Sequence, residues 1–204
     1  MREAISVNKL SNYLQSSFII DFEHPLIATR AKELRNNCSN DVDIAKNCFT
    51  FVRDTIRHTG DYKDAIITCK ASDVLRNQTG WCYAKSHLLA ALCRANGIPT
   101  GFCYQRLSLF GNGGEPYTLH GLNAIYLKDF GWYRVDARGN KEGINAEFSP
   151  PLEQLAFKVK ASHEIDFQEI LSDPLSIVIT ALQMYTNFEE SLKYLPDCTE
   201  ITRL

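Results

Sequence analysis

Cys82, His120 and Asp136 are the residues of this chain whose types and order could carry out nucleophilic chemistry. A thiol needs a base beside it, and the base needs a third group to hold its orientation. Cys82 follows Thr79-Gly80-Trp81 and opens the run from Tyr83 to Gly97, in which Ala84, Leu88, Ala91, Leu92 and Ala95 recur at helical spacing. Gly97 ahead of Ile98-Pro99 supplies the stop. A thiol in the first turn of such a helix meets the positive end of the macrodipole and unpaired N–H groups, which can lower its pKa from about 8.5 to roughly 3.5–7.5. His120 follows a glycine-rich stretch and opens a predicted strand, so its ring can project from the sheet edge toward a packed helix. Asp136 lies sixteen residues on, where a hairpin turning near Lys128-Asp129-Phe130-Gly131 would set it opposite or diagonal to His120.

His87 is the rival base, being near Cys82 in sequence. Five residues along a helix rotate a side chain by roughly 140°, which turns His87 away from the face carrying Cys82. His24, His58 and His163 read as ordinary surface or satisfied histidines. Taken singly, a cysteine at a helix start is packing, a histidine after a loop is solvated and an aspartate on a hairpin is a cap; only the combination points to catalysis.

The elements that must position these residues are legible in outline. Helices are predicted from Pro25 to about Asn37 and from Asp41 to about His58, the second with Ile44, Ala45, Cys48, Phe49, Val52 and Ile56 inward. Ser17 to Phe22 could form a short strand. Thr59 to Gly80 reads as an irregular loop delivering the cysteine helix, with one turn at Ser72-Asp73-Val74-Leu75. After Pro99 the pattern becomes an antiparallel meander: Thr100 to Leu109, His120 to Leu127 and Trp132 to Ala137, with Gly111-Asn112-Gly113-Gly114 as the first turn. From Pro150 the chain is expected to be helical again, with Ser172-Asp173-Pro174 starting a helix through about Tyr194. The fold class is therefore α+β, one domain over residues 1–204.

At 204 residues and 45% hydrophobic content the chain can build a sizeable core. A formal net charge of −2 offers no basic field for a nucleic acid, so none is expected as a partner. Met1 to Leu10 is charged and polar where a signal peptide would be apolar, and no run reaches membrane-spanning length; a cytoplasmic protein without a membrane partner is expected. Seven cysteines without a C-x-x-C pair predict free thiols, with Cys48 and Cys93 in the core and no metal site.

Gly80-Trp81-Cys82, Leu89 to Pro99, His120 and Gly131-Trp132-Tyr133-Arg134-Val135-Asp136 together resemble the core motifs of the transglutaminase-like superfamily, over about residues 40 to 140. Within it the chain is most similar to small stand-alone bacterial members described as cysteine proteases or transglutaminase-like proteins. The resemblance implies a papain-like fold, with Cys82 as nucleophile, His120 as general acid/base and Asp136 as its orienter. Leu122 stands where many members have tryptophan, Thr100-Gly101 where a basic residue is frequent, and Ala137 where proline is usual. Animal transglutaminases add β-domains and calcium sites, which this chain lacks the length and the acidic loops to hold.

Such a triad attacks an amide or ester carbonyl and passes through a thioester acyl-enzyme, with no cofactor. Water then gives hydrolysis and an amine gives acyl transfer; a peptide or small amide is the expected substrate, and hydrolysis is favoured. The Cys82 N–H is one oxyanion donor, with Gln78 or Trp81 as candidates for the other. Tyr83, Tyr104 and Trp132 are candidate pocket walls. Arg138, in the turn-like Arg138-Gly139-Asn140 segment, is expected to form a surface salt bridge, with binding of a substrate carboxylate as its alternative role. Two readings from other classes stay open: a catalytically inactive binding module on the same scaffold, and a thiol redox or metal protein.

Overall fold

The computed structural model describes residues 10–201. The expectation for Met1 to Leu10 falls, apart from Leu10, outside the described residues. Among the described residues no helix is long and apolar enough to cross a membrane.

Local signals set the helical ends. Helix α1 (Pro25–Arg35) begins on a proline whose missing N–H costs nothing there, and His24 Nδ1 accepts the Leu26 N–H at 3.2 Å. Helix α2 (Asp41–Thr55) is capped by Asn40, whose Oδ1 accepts the Asp43 N–H at 2.8 Å, and it buries the stripe Ile44, Ala45, Cys48, Phe49 and Val52. Strand β1 (Arg57–His58), helix α3 (Thr59–Tyr62), helix α4 (Ala71–Asn77) and strand β2 (Thr79–Gly80) lead to helix α5 (Cys82–Ala95). Every residue of α5 from Cys82 to Arg94 is buried. The sheet wraps one side of α5 and helices α1, α2 and α4 the others.

Three long strands follow, β3 (Thr100–Ser108), β4 (Tyr117–Leu127) and β5 (Gly131–Val135). Next come β6 (Glu147–Ser149) and β7 (Leu152–Gln154), which pair with each other as a small separate sheet, and then β8 (Ile165–Asp166). The main sheet has the order β5–β4–β3–β8, with all pairs antiparallel. Alternation divides its side chains: Phe102, Tyr104, Leu119, Ile125, Tyr133 and Val135 join the main core around α5, while Cys103, Leu122 and Ala124 form a small cluster on the opposite face. Helices α6 (Ser176–Met184) and α7 (Phe188–Lys193) complete the order of elements. All seven cysteines are free thiols, with Cys48 and Cys93 in the core.

Four segments differ from the sequence reading. Ser17 to Phe22 is a series of turns rather than a strand, because the Ser17 hydroxyl accepts the Ile20 N–H at 3.1 Å and folds the chain back. The supposed loop from Thr59 to Gly80 contains α3 and α4, and its ends form a parallel pair with Arg57 opposite Thr79 and His58 opposite Gly80. Residues 150–175 hold no helix but short strands, turns and extended stretches; Leu155, Phe157 and Val159 alternate at the strand period and line a cleft. The last helix breaks at Tyr185, where the backbone is extended, and restarts on an Asn187 cap whose Oδ1 accepts the Glu190 N–H at 2.9 Å.

Candidate active site

Helix α5 starts against β4 at the one place where β4 has no side chain. A Cβ at Gly121 would lie 2.9 Å from the Tyr83 ring and 3.1 Å from its Cα, so only glycine permits this approach. The Gly121 N–H donates to Cys82 Sγ at 3.4 Å. His120, the preceding residue, has the parity of Leu122 and Ala124, so its ring lies on the sheet face away from α5 and meets the thiol at the open edge of β4. Asp136 follows directly on β5, where Val135 pairs with Asn123; the register makes Asp136 the diagonal neighbour of His120. The diagonal is bridged by His120 Nε2 and Asp136 Oδ2 at 2.7 Å.

Nε2 being engaged by Asp136, Nδ1 is the ring nitrogen left to face Cys82, which is close enough to favour the charged imidazole. Burial disfavours a charged ring, but Asp136 and Cys82 outweigh it and push His120 up to about 10. Burial likewise opposes ionisation of Asp136; His120 and the N–H groups of Arg138 and Ala156, each 3.1 Å from the carboxylate, hold it below the usual carboxylate range. Phe157 stands edge-on to His120, shielding the pair from water. Asp136 is fully buried, and His120 and Cys82 keep 5% and 7% of their surfaces exposed. His120 and Cys82 border a cleft of about 1460 Å³.

Of the candidate oxyanion and pocket residues, Trp81, Tyr83 and Arg138 line this cleft, and Gln78, Tyr104 and Trp132 do not. Gln78 terminates α4 in the left-handed conformation and its carbonyl accepts the Arg57 N–H. Tyr104 is in the core, its hydroxyl accepting the Leu175 N–H at 3.1 Å, because its parity on β3 points it at α5. Trp132 packs on Tyr13 and Tyr126 on the other sheet face. Trp81 is a wall, but its indole N–H is spent on Ser191 Oγ at 3.2 Å.

Arg138 is not a surface residue: it is buried and forms a two-pronged pair with Asp61 at 2.6 and 2.8 Å, which Lys141 joins at 2.6 Å. Asn140 bonds the Ala146 backbone and shapes the turn. Lys85, one helical turn after Cys82, is wholly buried against the Ile56 and Arg53 carbonyls; burial, with Arg138 nearby, pushes it down to about 7. His87 points away from the thiol, as helical geometry requires, and its Nδ1 lies 2.8 Å from the Cys69 carbonyl.

His58 is the residue the sequence reading missed. It is buried beside Trp81, borders the same cleft, and its Nδ1 has no hydrogen-bond partner among the described residues; Asp61 is 3.7 Å away. Burial and the Arg138 charge drive its pKa well below the ordinary value, so the ring is neutral. The expected helix from Asp41 to about His58 ends at Thr55, and His58 lies instead on β1, whose pairing with β2 carries it to the cleft.

Residues 28–137 match the family model of the transglutaminase-like superfamily, a span that contains Cys82, His120 and Asp136. The chain belongs to the transglutaminase-like superfamily. Among solved structures, this superfamily member resembles a candidate cysteine protease from Cytophaga hutchinsonii at 17% identity and a TM-score of 0.52, over 66% of this chain and 43% of the other. The periplasmic domain of TgpA from Pseudomonas aeruginosa follows at 20% identity and 0.49, over 66% and 48%, and red sea bream transglutaminase at 12% and 0.49, over 66% and 32%. The chain thus spans less than half the length of these structures. No protein of curated function matches it. At these identities the likeness concerns the transglutaminase-like fold alone.

Proposed function

We propose that the protein is a thiol hydrolase acting on an amide or peptide bond, with Cys82, His120 and Asp136 as its triad. The observation that carries the reading is the 2.7 Å contact of His120 Nε2 with Asp136, which orients the other ring nitrogen toward the thiol at the edge of a cleft. In this scheme the Cys82 proton already rests on His120, and the thiolate adds to the substrate carbonyl. The tetrahedral oxyanion is met by the Cys82 backbone N–H, unpaired in the first helical turn, and by the neutral imidazole of His58. Imidazolium His120 returns the proton to the leaving amine as the carbon–nitrogen bond breaks, leaving a thioester on Cys82. Water, deprotonated by His120, then cleaves the thioester, restoring the thiol and releasing the acid.

Transfer of the acyl group to an amine is the second reading, favoured by the small exposure of Cys82, which restricts water. Product analysis with candidate amide donors, in EDTA, with and without a primary amine, separates the two. Acid released without amine and abolished by Cys82→Ala supports hydrolysis. Acyl product that forms only with amine assigns a transferase, and turnover unaffected by Cys82→Ala removes both readings.

A further inference from the structure

Strand β4 is paired with β3 along Tyr117 to Ile125 but with β5 only along Asn123 to Leu127. Among the described residues, therefore, β4 has toward its start an edge without a strand partner, and alternate N–H groups point out from it. Asn123 faces the end of β5, Gly121 donates to Cys82 Sγ at 3.4 Å, and Leu119 donates to the Pro196 carbonyl at 2.7 Å. The thiol and a backbone carbonyl of the segment after α7 thus occupy consecutive outward positions on one strand edge, about 7 Å apart by strand geometry. The Thr118 hydroxyl also reaches the Pro196 carbonyl, at 3.2 Å. Next to it, Arg106 takes both carboxylate oxygens of Asp197, at 2.7 and 2.8 Å, while Leu192 and Leu195 form an apolar wall of the cleft that holds Cys82.

A carbonyl on a strand-edge N–H, an apolar side chain in the cleft and a carboxylate on an arginine are the contacts by which an extended peptide is held when it adds to a sheet edge. We infer that the β4 edge at Leu119, with Arg106, is a peptide subsite beside the nucleophile, and that Leu195-Pro196-Asp197 occupies it as an internal stand-in for substrate. The ligand it takes is an extended peptide bearing an apolar residue followed, two positions on, by a carboxylate. This deepens the proposed function and uses its assignment of Cys82, but the subsite itself is a binding claim.

The test uses the full chain and an acetylated, amidated peptide of residues 193–200 with serine in place of Cys198, titrated by calorimetry. Asp197→Ala weakens the internal occupant, and releasing a partly exposed ion pair is expected to tighten binding of the added peptide by about fivefold. Adding Arg106→Ala to that variant should weaken it about tenfold, because the added peptide loses its charged contact. Asp197→Asn serves as a second variant, and far-UV circular dichroism verifies folding. Equal affinity for the parent and both Asp197 variants, or indifference to Arg106→Ala, overturns the inference. Binding is also measured in a Cys82→Ala background: affinity retained there, with no amidase activity in the chain that keeps Cys82, keeps the subsite and discards the hydrolase.

Discussion

The rings of Phe157 and His120 meet edge to face, with centroids 4.9 Å apart and planes at 89°. Phe157 belongs to the extended segment that also donates the Ala156 N–H to Asp136, so one stretch of chain both bonds the carboxylate and covers the imidazole. Water admitted here would screen the attraction that keeps His120 charged. Phe157→Ala should therefore move the His120 pKa down by at least about one unit toward its ordinary value of about 6.5, with little loss of fold. Nuclear magnetic resonance titration of the ring checks this. An unchanged titration would mean that Phe157 is only a wall of the cleft.

Cys82 should be the thiol that iodoacetamide labels at mildly acidic pH, because its side chain lies beside the charged imidazole of His120. Burial pushes Cys69 and Cys103 up to about 12, which silences them. Peptide mapping after His120→Gln should show labelling of Cys82 falling about tenfold or more at pH 6, with Cys38 and Cys198 unchanged. Equal labelling of Cys82 and the other accessible cysteines would remove the main support for a nucleophile.

For His58 the expected effect is on turnover alone. His58→Phe keeps an aromatic ring against Trp81 but offers no N–H, and the loss of one oxyanion donor costs about a hundredfold in kcat. The rate of Cys82 alkylation, which forms no oxyanion, should stay within about twofold of the unaltered chain. A parallel loss in both measurements would make His58 a packing residue.

His120 and Lys85 pull stability in opposite directions as pH rises. His120 is raised to about 10 in the folded state, so its contribution is complete below about 6.5 and is lost as pH climbs through about 10. Lys85 is lowered to about 7, so the cost of burying its charge is complete below that value and is relieved as pH rises toward about 10.4. Between pH 7 and 9 the two slopes oppose each other. Relative to the unaltered chain, Lys85→Met should lose stability with rising pH and His120→Gln should gain it, as read by urea unfolding at several pH values. Slopes that match the unaltered chain in both variants would show that neither group titrates as its surroundings imply.

Much of the site was legible in the order of residues alone. The helix opened by Cys82 has its own start, apolar spacing and glycine stop, and the β4–β5 hairpin has its own turn, so both elements and the diagonal of His120 with Asp136 follow from short-range pattern. His87 could be dismissed as the base from helical rotation alone, and its contact with Cys69 agrees. What lay beyond the sequence was every relationship made by pairing distant segments. His58 enters the cleft because β1 pairs with β2, twenty-one residues of chain lying between paired partners such as Arg57 and Thr79. Arg138 is buried because Asp61, 77 residues away, meets it. Tyr104 and Trp132 have the composition of pocket walls, but strand parity sends one to the core and the other to the far face. Periodicity states which side of an element is apolar; which neighbour covers that side is decided only when the whole chain packs, and the cover over His120 and the occupant of the β4 edge are decided there.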